Sequence, residues 1–263
     1  MVNPPPSALA PEAPAKAAEA VAGAADARTA AAAAAAAAER GFDPAEVAAR
    51  LESRDAREVI AWAIEEFHPS LYIASSFQKS TSVVAHMATQ LDPTSRFFYL
   101  DTDVLFPETY ETRDRLAERL GIEFDRYHNL SLAEQAELHG EELWNRDPDA
   151  CCGLRKVDPM RRALSSVDCW VSGIRRDDGG KRAGAPKFGY DKRFGLWKIN
   201  PLADWSEQDI WDYIHAHRLP YNPLHDQGYP SIGCTHCTKP VAPGESARAG
   251  RWAGTEKVEC GIN

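Results

Sequence analysis

The 263-residue chain lacks any long apolar stretch of membrane-spanning character. Its longest apolar run, residues 30–38, consists of alanine alone, which is too weakly apolar to hold a helix in a bilayer. The N-terminus also lacks the basic start and leucine-rich core of a secretory signal. We therefore expect a cytoplasmic protein that has no membrane partner.

An excess of positive charge is also missing. The formal net charge is −9, which argues against a nucleic-acid partner. The charge is unevenly distributed, because residues 151–200 contain twelve Lys/Arg against five Asp/Glu. A basic region in an acidic chain suits a small anionic substrate, although chance clustering of solvated charges would look the same.

Glycine-rich phosphate loops are absent, both the G-x-x-x-x-G-K-[ST] form and the S-G-G-x-D-S form. In their place residues 75–82, here called the nucleotide loop, put serine and threonine between a predicted strand and helix. A phosphate at that position would meet backbone N–H groups, although an ordinary serine-rich helix start looks the same. The candidate nucleotide-binding residues at this and the next strand end are Ser75, Ser76, Phe77, Leu100 and Asp101.

The order of apolar segments predicts an α/β fold whose open, twisted, mostly parallel sheet has helices on both faces. The predicted strands are 71–74, 96–100, 122–127, a segment around Cys169, and 196–199. The predicted helices are 44–52, 55–67, 83–90, 107–120, 131–138, 151–164 and one capped by Ser206 and Asp209. Residues 175–193 are predicted to form a loop.

Three regions follow from composition. Residues 1–41 form an alanine- and proline-rich tail that we expect to be disordered or loosely helical. Residues 42–233 form the α/β nucleotide-binding domain. Residues 234–263, the C-terminal arm, are rich in glycine and proline and are expected to be irregular and flexible.

Four of the six cysteines occur in two pairs, Cys151 with Cys152 and Cys234 with Cys237. Without an export signal, metal ligation or redox chemistry is favoured over a disulfide framework. Adjacent cysteines splay apart on a helix, which suits a bulky [4Fe–4S] cluster better than one zinc ion; zinc and a disulfide stay open. Cys169 is predicted to be a buried core thiol.

Cys260 follows a glycine-containing tether near the end of the chain, which suits a mobile nucleophile. It needs nearby positive charge to be held as the thiolate, and an incidental exposed thiol is the alternative. Cations follow both cysteine pairs and the strand near Cys169, and each would suit sulfate or phosphate oxygens. These cations are Arg155, Lys156, Arg175, Arg176, Arg248 and Arg251.

Ordered motifs connect these residues from about residue 60 to the end. They are C-C-x-x-R-K at 151–156, G-x-R-R-D at 173–177, N-P-L at 200–202, L-P-Y-N-P-L-H at 219–225, C-x-x-C-T at 234–238, G-R-W at 250–252 and E-C-G at 259–261. In this order they resemble the assimilatory adenylyl-sulfate (APS) reductase family.

The resemblance implies a fold like that of the adenine-nucleotide α-hydrolases and a [4Fe–4S] cluster on the four paired cysteines. It implies that Cys260 attacks the sulfur of APS, expels AMP and becomes an S-sulfocysteine. Thioredoxin or a similar dithiol protein then releases sulfite. Lys156, Arg248 and Arg251 would neutralise sulfate and phosphate oxygens, with the cluster adjusting charge and geometry nearby rather than donating electrons.

Two departures from the family pattern bear on the substrate. Asn263 stands where relatives have histidine, and Lys79 makes the nucleotide loop more basic than usual. The extra charge suits the 3′-phosphorylated substrate, PAPS, whereas PAPS reductases generally lack the four paired cysteines. Two functions of other classes stay open, an ATP pyrophosphatase and a non-catalytic metal-binding regulator. The sequence indicates no oligomeric state.

Overall fold

The computed structural model describes residue 29 and residues 31–262. The chain divides into two compact units, Met1–Pro44 and Ala45–Asn263. Residues 31–40 of the predicted tail form a helix, and its residues 1–28 and 30, like Asn263, lie outside the described residues. Within the described part of the chain, no helix is both long and apolar enough to cross a membrane.

Six strands form one sheet in the order β3-β2-β1-β4-β6-β5, with every neighbouring pair parallel except β5 and β6. The strands are β1 (Leu71–Ala74), β2 (Phe97–Leu100), β3 (Phe124–Tyr127), β4 (Cys169–Val171), β5 (Phe188–Asp191) and β6 (Leu196–Ile199). The predicted open, mostly parallel sheet is confirmed. Strand β5 was missed, because its short F-G-Y-D sequence lies among glycine and lysine residues typical of a loop.

The helices follow the predicted segments closely. They are α1 (Pro44–Glu52), α2 (Ala56–Phe67), α3 (Lys79–Leu91), α4 (Pro107–Leu120), α5 (Leu132–His139), α6 (Leu143–Arg146), α7 (Pro148–Cys152), α8 (Asp158–Leu164) and α9 (Glu207–His217). Helix α3 begins four residues before the predicted 83, so half of the nucleotide loop is helical. A π-helical turn at Gly153–Val157 separates α7 from α8.

Local chemistry explains where several helices begin. Ser206 caps α9 through a reciprocal capping box with Asp209, as predicted. Asp55 and Glu58 form the same arrangement at the start of α2. Side chains of β1, β2 and β4 pack with α8 into a hydrophobic core. Cys169 of β4 is fully buried, as predicted.

The C-terminal arm is irregular, as expected, but it is packed against the body of the second unit. Single β-bridges join Leu105 to Cys234 and Thr238 to Arg251. Cys260 is only 7% exposed in this arrangement, and the flexibility expected of the arm stays a prediction. Groups of the body contact the arm, since Trp144 stacks on His236 and Arg182 pairs with Glu259.

Candidate active site

A cavity of about 690 Å³, here called the large cavity, opens at the carboxyl ends of β1, β2 and β4. This is the edge at which ligands bind in open parallel sheets. Nine of the predicted site residues line it: Ser75, Ser76, Phe77, Leu100, Lys156, Arg175, Arg248, Arg251 and Cys260. Segments from the nucleotide loop to the arm are therefore brought together at one site.

Two predicted substrate contacts, Asp101 and Arg176, do not line the large cavity. Asp101 accepts hydrogen bonds from the Tyr110 hydroxyl at 2.7 Å and from Arg126 Nε at 2.6 Å. Burial raises its pKa, but these bonds outweigh burial and hold the pKa of the Asp101 carboxyl below its usual range. Arg176 pairs instead with Glu52 at 2.5 Å. Both side chains therefore make contacts between elements of the fold instead of lining the large cavity.

Phe77 gives the nucleotide loop its shape. Its φ of 55° lies in the left-handed region, which is uncommon for a bulky side chain. The ring is 1% exposed and packs edge-on against Tyr99 and Phe124. Because the ring is fixed in the core, the backbone turns sharply and directs the serine-rich segment towards the large cavity.

The first turn of α3 holds Lys79 in a closed set of contacts. Lys79 Nζ lies 2.7 Å from Glu207 Oε1 and donates to the Pro230 carbonyl at 3.2 Å. The Lys79 backbone N–H donates to His225 Nε2 at 3.3 Å. Burial, followed by the charge of Lys79, lowers the pKa of His225 to about 4, so its imidazole is neutral and can accept this bond.

Glu207 also binds Arg175, whose Nη2 lies 2.7 Å from Glu207 Oε2. Arg175 Nη2 lies 3.1 Å from Asp178, and Asp178 lies 3.2 Å from Arg182 Nη1. Glu207 and His225 were not predicted. The sequence indicated the helix that begins at Glu207 but not the ion pair, because Lys79 lies 128 positions away along the chain.

A second ion-pair group ties the arm to the cavity wall. Glu259 lies 3.1 Å from Arg182 Nε and 3.1 Å from Arg248 Nη2. Arg248 Nη2 also donates to the Val258 carbonyl at 2.9 Å. These contacts place the residue before Cys260 against two cavity-lining guanidinium groups.

Cys260 lies where the arm meets the large cavity, and it packs against Cys152 and Trp252. Burial raises its pKa, but the charges of Lys156 and Arg251 outweigh burial and bring the pKa of Cys260 below its usual value. Arg251 stacks over the Trp252 ring with its guanidinium carbon 4.5 Å from the centroid. The site therefore shifts the protonation equilibrium of Cys260 towards the thiolate.

All four paired cysteines line a second, smaller cavity, here called the cysteine cavity. No cysteine among the described residues forms a disulfide. Burial raises the pKa of Cys151 to about 11 and that of Cys152 to about 12. Within the described residues, no three His, Cys, Asp or Glu side chains converge closely enough to hold a single metal ion. The thiols instead surround a space.

Aromatic and basic groups complete the cysteine cavity. The Trp144 and His236 rings stack at 4.0 Å with an interplanar angle of 5°. Lys156 lines both cavities. Burial lowers the pKa of Lys156, but the electrostatic influence of Cys234 and Cys260 outweighs burial and raises that pKa above its usual range. The lysine charge is thus shared between the two cavities.

Arg155 has a more structural position than Lys156. Its Nε donates to Gln135 at 2.7 Å and its Nη1 donates to the Thr102 carbonyl at 2.8 Å. Its Nη2 is buried and has no hydrogen-bond partner, and Arg155 lines the cysteine cavity. Thr102 also approaches Cys234, with Oγ1 3.3 Å from Sγ. An unpartnered cationic N–H beside four thiols suits an anionic occupant.

Comparison with known proteins gives matches over most of the chain. The family model described as phosphoadenosine phosphosulfate reductase domain matches residues 70–240. An adenosine 5'-phosphosulfate reductase of Salinibacter ruber is 46% identical over 221 residues, covering 83% of this chain and 88% of the relative. One from Halalkalibacterium halodurans is 43% identical over 83% of this chain and 95% of its own length.

Solved structures show the same fold. A phosphoadenylyl-sulfate (PAPS) reductase from Candida auris matches with a TM-score of 0.66 and 30% identity, over 74% of this chain and 95% of that one. An FMN adenylyltransferase from Candida glabrata, with a TM-score of 0.52 and 14% identity, shares the fold alone. The ordered motifs, the strand-end cavity and these similarities lead to one conclusion: the chain belongs to the APS/PAPS reductase family of oxidoreductases that act on a sulfur group.

Proposed function

We propose that the chain reduces adenylyl sulfate (APS) to sulfite and AMP in sulfate assimilation. The position of Cys260 carries the proposal: its thiol lies on the wall of the large cavity, beside Lys156 and Arg251. The relatives named adenosine 5'-phosphosulfate reductase support APS as the substrate.

In the first step the Cys260 thiolate attacks the sulfate sulfur of APS. A bond forms between Sγ and this sulfur, and the sulfur–oxygen bond to AMP breaks, so that AMP leaves with the electron pair. Cys260 becomes an S-sulfocysteine. The nucleophile is activated by its charged surroundings rather than by an adjacent general base.

In the second step a dithiol protein such as thioredoxin attacks Cys260 Sγ, and sulfite leaves with the electron pair of the sulfur–sulfur bond. The second thiol of the partner then resolves the mixed disulfide and regenerates Cys260. The dithiol is oxidised to a disulfide while the sulfur is reduced by two electrons. Since Cys260 is 7% exposed, this step requires the arm to open.

Lys156, Arg248 and Arg251 bind the phosphosulfate group in this proposal. Their positive charges lie in the large cavity around Cys260 and neutralise oxygens that gain charge as the sulfur–oxygen bond breaks. The nucleotide loop, with Ser75, Ser76 and the turn at Phe77, binds the nucleotide. The hydroxyl of Ser75 is buried and has no hydrogen-bond partner, which supports a ligand contact there.

The cysteine cavity is proposed to hold a [4Fe–4S] cluster on Cys151, Cys152, Cys234 and Cys237. The donor set fits, because four thiols surround a space that is also lined by Arg155, which has a buried N–H without a partner. When bound, the cluster supplies negative charge and fixed geometry next to the sulfate site. We also infer a cytoplasmic location, where thiols that form no disulfide stay reduced.

The proposal is tested with anaerobically purified protein, thioredoxin and either APS or PAPS, with sulfite release as the readout. We expect APS to be the better substrate and Cys260→Ser to abolish turnover while retaining bound iron and sulfide. Cys169→Ala, which removes a thiol outside both cavities, is the matched control and should keep turnover. Equal or faster sulfite release from PAPS would overturn the assignment, and full turnover by Cys260→Ser would exclude the covalent route.

The cluster is tested separately by iron and sulfide content. Cys234→Ser should lose most of the bound iron, while Cys169→Ala should retain about four irons per chain, the number in one such cluster. Purified wild-type protein without iron, or with zinc alone, would refute the cluster but leave the sulfite assay to decide the reaction.

A further inference from the structure

The wall of the large cavity carries a chain of alternating charges that begins at the nucleotide loop. Lys79 pairs with Glu207 at 2.7 Å, and Glu207 pairs with Arg175 at 2.7 Å. Arg175 also lies 3.2 Å from Asp177 and 3.1 Å from Asp178. Three carboxylates therefore face Lys79 and Arg175 at this end of the wall, and Arg182, which lies 3.2 Å from Asp178, connects it to the other end.

The other end of the wall, at Cys260, has the opposite balance. Arg248 shares the single carboxylate of Glu259 with Arg182. Arg251 Nη1 donates to the Ser231 hydroxyl at 3.2 Å and to the Ile232 carbonyl at 3.3 Å, so its positive charge is hydrogen-bonded to neutral oxygens. An anion is attracted at this end but meets a neutralised surface at the Lys79 end.

This neutralisation bears on the difference between APS and PAPS, which is one phosphate on the ribose. The basic nucleotide loop suggests that Lys79 binds that phosphate. In the structure the Lys79 side chain is 7% exposed, and its Nζ pairs with Glu207 and donates to the Pro230 carbonyl. The first N–H of α3 is likewise engaged, by the neutral His225 ring. Both features that would attract a second phosphate already have partners.

Glu207 is the residue that keeps this arrangement in place. Its two oxygens bind Lys79 and Arg175, and Trp211 Nε1 donates to Oε1 at 3.0 Å. Its side chain is 46% exposed, so a charged group arriving in the large cavity meets it. Burial raises its pKa, but Lys79 and Arg175 hold the pKa of the Glu207 carboxyl below its usual range, so it is ionised at neutral pH.

Building on the proposed function, we propose that Glu207 determines substrate specificity by excluding a ribose 3′-phosphate. With the sulfur at Cys260 and the nucleotide along this wall, the extra phosphate would lie in front of the Glu207 carboxylate. It would meet like charge and two cations that already have a partner. Like-charge repulsion against the wrong ligand is a common source of specificity.

The test measures nucleotide binding by calorimetry on the holoenzyme, with AMP and adenosine 3′,5′-bisphosphate as probes. We expect Glu207→Gln to shift the affinity ratio towards the bisphosphate by at least about tenfold, since removing one nearby negative charge changes binding by roughly 1.4 kcal/mol. Glutamine keeps the size of the side chain and its bond from Trp211. The ratio of kcat/KM for PAPS and APS should shift in the same direction.

Two further variants separate charge at this position from general effects. Asp212→Asn removes a carboxylate from the exposed side of the same helix, away from the large cavity, and should leave the ratio unchanged. Lys79→Gln combined with Glu207→Gln should lose the gain, because the freed lysine is what binds the phosphate. The shift should shrink in high salt.

The outcomes distinguish this inference from the proposed function. If wild-type protein releases sulfite from APS but Glu207→Gln leaves both ratios unchanged, Glu207 is not the specificity determinant and the proposed function stands. An equal shift in Asp212→Asn would also overturn it. If wild-type protein releases no sulfite from APS, the proposed function fails. The affinity ratio of AMP and the bisphosphate, compared between wild type and Glu207→Gln, still decides whether Glu207 excludes the phosphate.

Discussion

Glu259 is expected to hold the C-terminal arm closed, and replacing it with glutamine tests this directly. Its carboxylate bridges Arg182 and Arg248 at 3.1 Å each. The three side chains are 11%, 16% and 15% exposed, so the charges are largely removed from water. Burial, followed by the charge of Arg182, lowers the pKa of Arg248 to about 10, while the charge of Glu259 opposes this shift.

The magnitude follows from these contacts. Hydrogen bonds to charged groups contribute about 1.5–3 kcal/mol each, and glutamine keeps only one of the two oxygens that accept them. Loss of the other, with repulsion between two arginines, should make arm opening easier by about 2 kcal/mol, or roughly 30-fold in the opening equilibrium. Glu256→Gln, which changes an exposed carboxylate of the same arm, is the matched control.

Hydrogen exchange of a peptide covering residues 253–262, followed by mass spectrometry, measures the opening. In Glu259→Gln its protection should fall about 30-fold while peptides of β1 and β4 stay unchanged. Protection equal to that of wild type and of Glu256→Gln would refute the view that this ion-pair group keeps the arm closed.

Other predictions concern the fold around the site. His225 has a pKa lowered to about 4 by burial and by Lys79, so the unfolded chain binds its proton first as pH falls from about 6.5. Stability should therefore drop by about 2 kcal/mol more between pH 7 and pH 5 in wild type than in His225→Gln, as measured by urea unfolding. Tyr72→Phe removes the donor to Asp125 and should lower the free energy of unfolding by about 1–2 kcal/mol in the same assay; no change would show that the bond is unimportant. In Arg155→Lys the ammonium cannot donate to both Gln135 and the Thr102 carbonyl, as the guanidinium does. The free energy of unfolding should therefore fall by about 2–3 kcal/mol, and a variant as stable as wild type would contradict this.

The sheet and most helices were predictable because their signals are local. Strand β1 is a short buried run between turn residues, and α9 begins with a serine and an aspartate at capping-box spacing. Strand β5 was missed because its signal is not local. It is an edge strand of four residues held by pairing with β6, and that pairing leaves no periodic pattern in the sequence.

The candidate site was predictable in its residue types but not in its pairings. Cysteines and arginines could be identified as ligands and anion-binding groups from chemistry alone. Whether a given cation is available depends on carboxylates far along the chain, as with Lys79 and Glu207, or Arg176 and Glu52. Burial of Cys260 likewise arises from tertiary contacts, since glycine-containing tethers give no indication of where they pack.

Cys260 and Trp252 pack on Cys152, so the last part of the arm covers this thiol of the cysteine cavity. Any motion that presents Cys260 to a partner also uncovers Cys152. Oxidants and alkylating reagents should therefore reach the two thiols together, and the protein should be most vulnerable to air while it is turning over.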